Sequence, residues 1–315
     1  MKETASYFTY SETNEYSLDI PAELAGKIER RGGLRRRTAA KQGKKFNFLF
    51  FVRIAALVVL VVAAGVFIWR LSQYSTDIDY TESQSKTISV DSYKVAEAEK
   101  RATPSYPEFE GKAVVTGRFD YPQITDSDKL TQFSMTYPDF VCWIYIENTT
   151  VNYPVVQGED NEFYLRRNMD GESNLSGTLF MDYRCDRETF AGHNIFYGHN
   201  NQNGTMFGPL KKYMDKSFFD SHPVFYTYTK DSVTLWKIFS AYETDTENYY
   251  IRTDFISKDS YGKFLRRLKA ASVYDTGVEI TEDDDILTLS TCYLYNKVNG
   301  RFVIHAVKAG ETPLK

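Results

Sequence analysis

Residues 54–69 form an unbroken apolar run, from Ile54 to Trp69, and no other stretch limits the fold of this chain so sharply. Counted from Phe48, the segment spans roughly 33 Å as a helix at about 1.5 Å per residue, enough to cross a bilayer core of about 30 Å. Arg53 lies near its basic end, where a long cationic side chain reaches the headgroups. Between Lys27 and Lys45 there are nine Lys or Arg residues against one acid, Glu29, whereas Arg70 is followed by Asp77, Asp79 and Glu82. This imbalance predicts a cytoplasmic N-terminus and an extracellular remainder. A cleaved signal peptide would have a shorter apolar core, a shorter leader and a small-x-small site after it, so a retained single-pass anchor is expected. The chain then divides into a cytoplasmic polybasic tail (1–45), a transmembrane anchor (46–70), an extracellular stalk (71–105) and a folded domain (106–315). Residues 1–26 are polar and acidic and read as a disordered tail, with Pro21 able to start one short helix. The stalk is rich in Ser, Thr, Asp, Glu and Lys, with a short helix expected over 93–101.

After the stalk the pattern turns to β. Runs at 140–146, 151–156, 178–181, 194–197, 224–229, 233–242, 286–291 and 302–307 carry the β-branched and aromatic residues of strands, bounded by turn residues such as Asn148 and Asn299-Gly300. Their spacing predicts a mainly β domain, a barrel or a sandwich, rather than alternating β-α units. One amphipathic helix interrupts them over 259–271, where Tyr261, Phe264, Leu265 and Leu268 recur at helical spacing. With 42% hydrophobic and 16% aromatic residues, the chain can bury a sizeable core. A net charge of −4 does not suggest a nucleic-acid partner, which calls for a strongly basic face. The three cysteines, Cys142, Cys185 and Cys292, are odd in number and lack Cys-x-x-Cys spacing, which argues against a zinc site or a disulfide framework.

The chemistry-bearing stretch is 286–307. Its two β runs read as an antiparallel hairpin, which brings Cys292 at the end of one strand beside Arg301 at the start of the next. A thiol attacks as its thiolate, and a cationic neighbour favours that form. His199 follows the short run Asn194-Ile195-Phe196-Tyr197-Gly198, again at a strand end. Cysteine, histidine and arginine at strand rims suit acyl transfer, as nucleophile, general acid/base and oxyanion donor. Cys142, in Phe140-Val141-Cys142-Trp143, reads as core, and Cys185, among Asp182, Arg184, Asp186 and Arg187, as a surface thiol. His193, His222 and His305 take structural roles by default, although alternation puts His305 on the face of Arg301 and makes it a second candidate base.

Thr288-Leu289-Ser290-Thr291-Cys292, Arg301 shortly after it and Tyr197-Gly198-His199 upstream resemble the sortases, membrane-anchored cysteine transpeptidases of Gram-positive bacteria. The long interval between His199 and Cys292, with its helix, is similar to class B. The resemblance implies a closed sortase-type β-barrel with an inserted helix between late strands and an N-terminal helical segment, preceded by the transmembrane helix. It implies that Cys292, His199 and Arg301 are catalytic, and that Asn161, Leu165, Tyr197, Thr246, Tyr250, Ile251 and Ser290 line the substrate cleft. It further implies cleavage of a C-terminal sorting signal after threonine and transfer of the acyl group to a cell-wall amine, from lipid-linked peptidoglycan or a pilin lysine, with no metal or other cofactor. Tyr293 departs from the acidic residue often found there in class B. The rival expectations are a pilus-assembling sortase, a hydrolytic cysteine peptidase and a non-catalytic peptide-binding scaffold.

Overall fold

In the computed structural model, which describes residues 48–91, 121–125, 127–245, 249–292 and 299–314, the first element is helix α1 (Phe48–Thr87). Phe48, Asp91 and Cys292 are described by backbone alone. The expected tail at 1–45, its helix at Pro21 and the helix over 93–101 lie outside the described residues. The chain divides into two units, Met1–Val58 and Val59–Lys315. The apolar part of α1 makes it long and apolar enough to cross a membrane.

The helix does not stop where the apolar run does. It continues to Thr87, through residues the sequence assigns to a stalk. Asp77, Tyr80, Thr81, Gln84 and Ile88 recur at helical spacing, and this stripe faces the folded domain. The Asp77 carboxylate accepts from the Leu175 backbone N–H at 2.9 Å, and Asn152 Nδ2 donates to the carbonyls of Ser85 and Ile88 at 2.7 and 2.9 Å. Lys129 Nζ donates to the Thr87 carbonyl at 3.0 Å. Carbonyls left open by the helix end are thereby satisfied by side chains of the domain.

Beyond α1, β1 (Val90–Asp91) pairs with β2 (Gln123–Ile124), and α2 (Asp128–Thr136) follows. Strands β3 (Phe140–Tyr145), β4 (Asn152–Val156), β5 (Leu179–Met181) and β6 (His193–Gly198) then form, over runs rich in aromatic and β-branched or other apolar residues. A short helix α3 (Lys216–Ser221) leads to β7 (Val224–Tyr228) and the long β8 (Ser232–Asp245). Helix α4 (Lys258–Ala270) precedes β9 (Ile286–Cys292) and β10 (Gly300–Pro313). The strands from β3 to β10 close into a barrel in the order β10-β8-β7-β3-β4-β5-β6-β9. Closure leaves no free edge in this sheet.

The barrel interior is filled by Phe196, Leu287, Leu289, Phe302, Ile304 and Trp236, among others. On the outer face of β8, β9 and β10, Phe239, Ile286, Val303 and Val307 are covered by Tyr261, Phe264, Leu265 and Leu268 of α4. The four apolar positions read from the sequence are thus the buried stripe of this helix. Ser257 caps it, accepting from the Ser260 N–H while the Ser260 hydroxyl reciprocates. Strand β10 runs six residues past the expected end at Val307, to Pro313, because β8 continues to pair with it through register shifts at His305/Ala306 and Lys308/Gly310.

Gly198, the last residue of β6, has no room for a side chain: a Cβ there would overlap Leu179 and Phe207, both fully buried. Gly198→Ala is expected to cost about 1–3 kcal/mol through overpacking. Chemical denaturation of the full chain in detergent checks this, and a midpoint equal to that of the unmodified protein would contradict it.

Candidate active site

Strands β6 and β9 are parallel neighbours, with Tyr197 opposite Ser290 and Gly198 opposite Thr291. The next residues along each strand are His199 and Cys292. On the other side of β9, Cys292 is the antiparallel partner of Arg301. With strands about 4.8 Å apart, the backbones of His199, Cys292 and Arg301 lie on one line across the barrel rim, Cys292 in the middle. The expected hairpin therefore forms in the expected register, and a parallel strand brings the histidine to its other side.

His199 is half-buried, and its Nε2 lies 2.7 Å from the Leu165 carbonyl. A carbonyl only accepts, so Nε2 carries the proton and Nδ1 is the nitrogen that can take another. Burial pulls the imidazole below its ordinary value, against the opposing effect of the Leu165 bond. The backbone of Gly177 passes close behind the Leu165 carbonyl: its φ is +59°, and a Cβ there would come within 2.6 Å of that oxygen. Half-buried Arg301 donates from Nη1 to the Gly300 carbonyl at 2.9 Å, which folds the guanidinium back over the start of β10.

The residues expected in the cleft fall into two groups. Asn161 and Tyr197 both donate to Asp182 Oδ2 at 3.0 Å, and Arg184 holds the same carboxylate through Nε and Nη2 at 2.8 and 2.7 Å. Arg184 Nη2 also donates to the Ile251 carbonyl at 3.0 Å. Burial pushes the Asp182 carboxyl up, but the Arg184 bonds outweigh it and hold the group below the usual carboxylate range. The second group is Tyr250 and Ser290, whose hydroxyls meet at 2.8 Å in a buried position. Leu165 contributes the carbonyl on His199, and Thr246 lies outside the described residues. Asp182 and Arg184 escaped the sequence reading, since an Asp-x-Arg step beside a cysteine reads as ordinary surface charge.

Two other expectations change. Cys185 is half-buried rather than a surface thiol: Sγ lies 3.5 Å from the His193 carbonyl, and burial pushes the thiol up to about 12. His305 is fully buried, between the Thr288 hydroxyl and Tyr242, so it cannot reach a substrate carbonyl. Cys142 is core, as expected.

His193 is buried too, and burial pulls its imidazole from 6.5 to about 4. A depressed histidine contributes stability above its unfolded value and loses it as pH falls towards the folded one. Relative to His193→Gln, the protein is expected to lose about 3 kcal/mol more between pH 6.5 and pH 4. Denaturant midpoints of both proteins across that range check it, and parallel curves would contradict it.

Residues 144–309 match the family model of the sortase domain. Sortase B of Listeria monocytogenes is 38% identical over 165 residues, covering 52% of this chain and 67% of that protein. Sortase B of Staphylococcus aureus is 36% identical over 186 residues, covering 59% and 74%. The solved S. aureus sortase B–substrate complex superposes with a TM-score of 0.55 at 34% identity, covering 60% of this chain and 87% of that one. The closed barrel, the helix-bearing passage between β6 and β9, and these matches place the chain in the sortase family, as a class B cysteine transpeptidase.

Proposed function

We propose that Cys292 is the nucleophile, His199 the general acid/base and Arg301 the oxyanion donor. The observation that carries this reading is the strand register that sets Cys292 between the other two. His199 is neutral near pH 7 and offers Nδ1, so the thiol proton passes there as sulfur attacks the carbonyl of a threonine in a C-terminal sorting signal. The S–C bond forms, and negative charge develops on the carbonyl oxygen, where the Arg301 guanidinium donates. His199 then returns the proton to the leaving amine as the C–N bond breaks, leaving a thioacyl enzyme. An incoming amine reverses the sequence: it attacks the thioester, gives its proton to His199 and frees the Cys292 sulfur, which regains the proton. All charges and protons are accounted for within these three side chains and the two substrates.

The substrate peptide lies against Asn161, Leu165, Tyr197, Thr246, Tyr250, Ile251 and Ser290. The solved relative carrying a substrate supports a peptide as the ligand of this cleft. The acceptor is an amine of the cell-wall precursor, on lipid-linked peptidoglycan or a pilin lysine. The apolar part of α1 anchors the chain in the membrane, with the basic tail inside and the catalytic domain outside, where such an acceptor is found.

Incubating the full chain in detergent with a sorting peptide and an amine should yield the amide of the peptide's threonine. Only hydrolysed peptide in excess amine would contradict transpeptidation. Cys292→Ala should abolish turnover while peptide affinity is kept, and residual turnover would remove Cys292 as nucleophile. Arg301→Lys keeps the charge but loses the planar fork, so turnover should fall about 10²–10³-fold with a much smaller change in KM. Unchanged turnover would remove Arg301 from the oxyanion role.

A further inference from the structure

Beneath the rim, on the outer face of β6, β9 and β10, lies a run of buried polar groups that the proposed chemistry does not use. His193 Nδ1 is 2.7 Å from the Arg252 carbonyl, and His193 Nε2 is 2.7 Å from Thr288 Oγ1. The same hydroxyl is 2.7 Å from His305 Nδ1, and His305 Nε2 is 3.1 Å from the Tyr242 hydroxyl. His193, Thr288 and His305 are 3%, 0% and 0% exposed. Around them are the rings of Phe239, Phe264 and Tyr250.

The direction of this chain of hydrogen bonds can be deduced. The Arg252 carbonyl only accepts, so His193 Nδ1 donates. Both imidazoles are neutral, since burial in an aromatic layer disfavours the cation, so His193 Nε2 can only accept. The single Thr288 hydrogen must then point at His193, and the hydroxyl accepts from His305 Nδ1. His305 Nε2 in turn accepts from the Tyr242 O–H. Each hydrogen has one place to go, and reversing any one bond leaves a buried polar atom unpaired.

The end of the chain is the segment 250–252, and each of these residues is tied to a different part of the barrel. Tyr250 meets Ser290 on β9, the Ile251 carbonyl accepts from Arg184 after β5, and the Arg252 carbonyl accepts from His193 on β6. An aliphatic side chain at 288 would fill the same space but leave His193 Nε2 without a donor and the His305 Nδ1–H without an acceptor, so the hydroxyl serves the two imidazoles and not packing alone. We infer that Tyr242, His305, Thr288 and His193 are positioning residues, a one-way hydrogen-bond chain that fixes residues 250–252 at the peptide cleft and thereby sets affinity for the sorting peptide. This rests on the assignment of Tyr250 and Ile251 to the cleft.

The full chain in detergent, labelled with 15N-histidine, tests the direction directly. His193 and His305 should each show a protonated Nδ1 and a bare Nε2, and either one protonated on Nε2 would overturn the chain. Thr288→Val removes the hydroxyl and Thr288→Ser keeps it. In a Cys292→Ala background, where turnover plays no part, the Val variant should speed hydrogen exchange over 249–255 and the Ser variant should not. Equal exchange in the two would overturn the anchoring. In the active protein, Thr288→Val should raise KM for the sorting peptide about tenfold with kcat within about threefold, and Ser should restore it. Faster exchange with an unchanged KM would uphold the anchor and instead remove Tyr250 and Ile251 from the cleft. Should the Val variant be too unstable to assay, Tyr242→Phe, which removes the hydrogen at the other end of the chain, should speed exchange over 249–255, and unchanged exchange would overturn the anchoring.

Discussion

The parallel ladder between β6 and β9 is the constraint on which the rest of the molecule depends. Parallel neighbours cannot be joined by a tight turn, and here the connection runs from residue 198 to 286 through α3, β7, β8 and α4. A slip of one residue in either ladder of β9 would exchange its two faces. Leu287 and Leu289 would leave the barrel interior, and Thr288 and Ser290 would enter it. Apolar contacts inside and the α4 layer outside therefore fix the same register. That register sets Cys292 in line with His199 and Arg301.

Below the rim, the layer is held by paired polar groups. The β9 face that ends at Cys292 carries Ser290 and Thr288 beneath it, each hydroxyl paired with a buried partner. Asp182 performs a matching task on the other side of β6, gathering Asn161, Tyr197 and Arg184 onto one carboxylate. A buried carboxylate needs its partner, and Arg184, about one-third exposed, couples that buried charge to the carbonyl of Ile251. Asn161, Tyr197 and Ile251, expected in the cleft, are thus tied to polar groups of the domain, and preorganisation of this kind favours binding without a large ordering cost.

Much of this was legible in the sequence because the relevant signals are local. β-Favouring runs bounded by turn residues located every strand of the barrel, the four apolar positions of α4 identified its buried stripe, and Asn299-Gly300 marked a turn before the strand that opposes Arg301 to Cys292. What escaped was either non-local or polar. Nothing in the residues themselves pairs β6 with β9, and the approach of His199 to Cys292 came from a motif rather than from geometry. The docked stripe of α1 is invisible to a search for apolar periodicity because its residues are polar, Asp77 and Tyr80 binding the domain through hydrogen bonds. Asp182 and Arg184 looked like solvated charges, and Cys185 like an exposed thiol, since burial of a polar residue depends on what the rest of the chain places over it.

The electrostatics of the rim point to the order of events on the proposed reading. Burial lowers the proton affinity of His199, and the Leu165 carbonyl restores part of it by accepting from Nε2. A resting imidazolium beside a resting thiolate would need that affinity to be raised, and here the net shift runs the other way. On that reading the imidazole offers Nδ1 to the thiol proton as the sulfur attacks. On the same reading, stabilisation of the developing negative charge falls to Arg301, on the opposite side of β9. One strand separates the proton carrier from the guanidinium, and that distance weakens their mutual repulsion in the bond-making step of the proposed reaction, when both are positive at once.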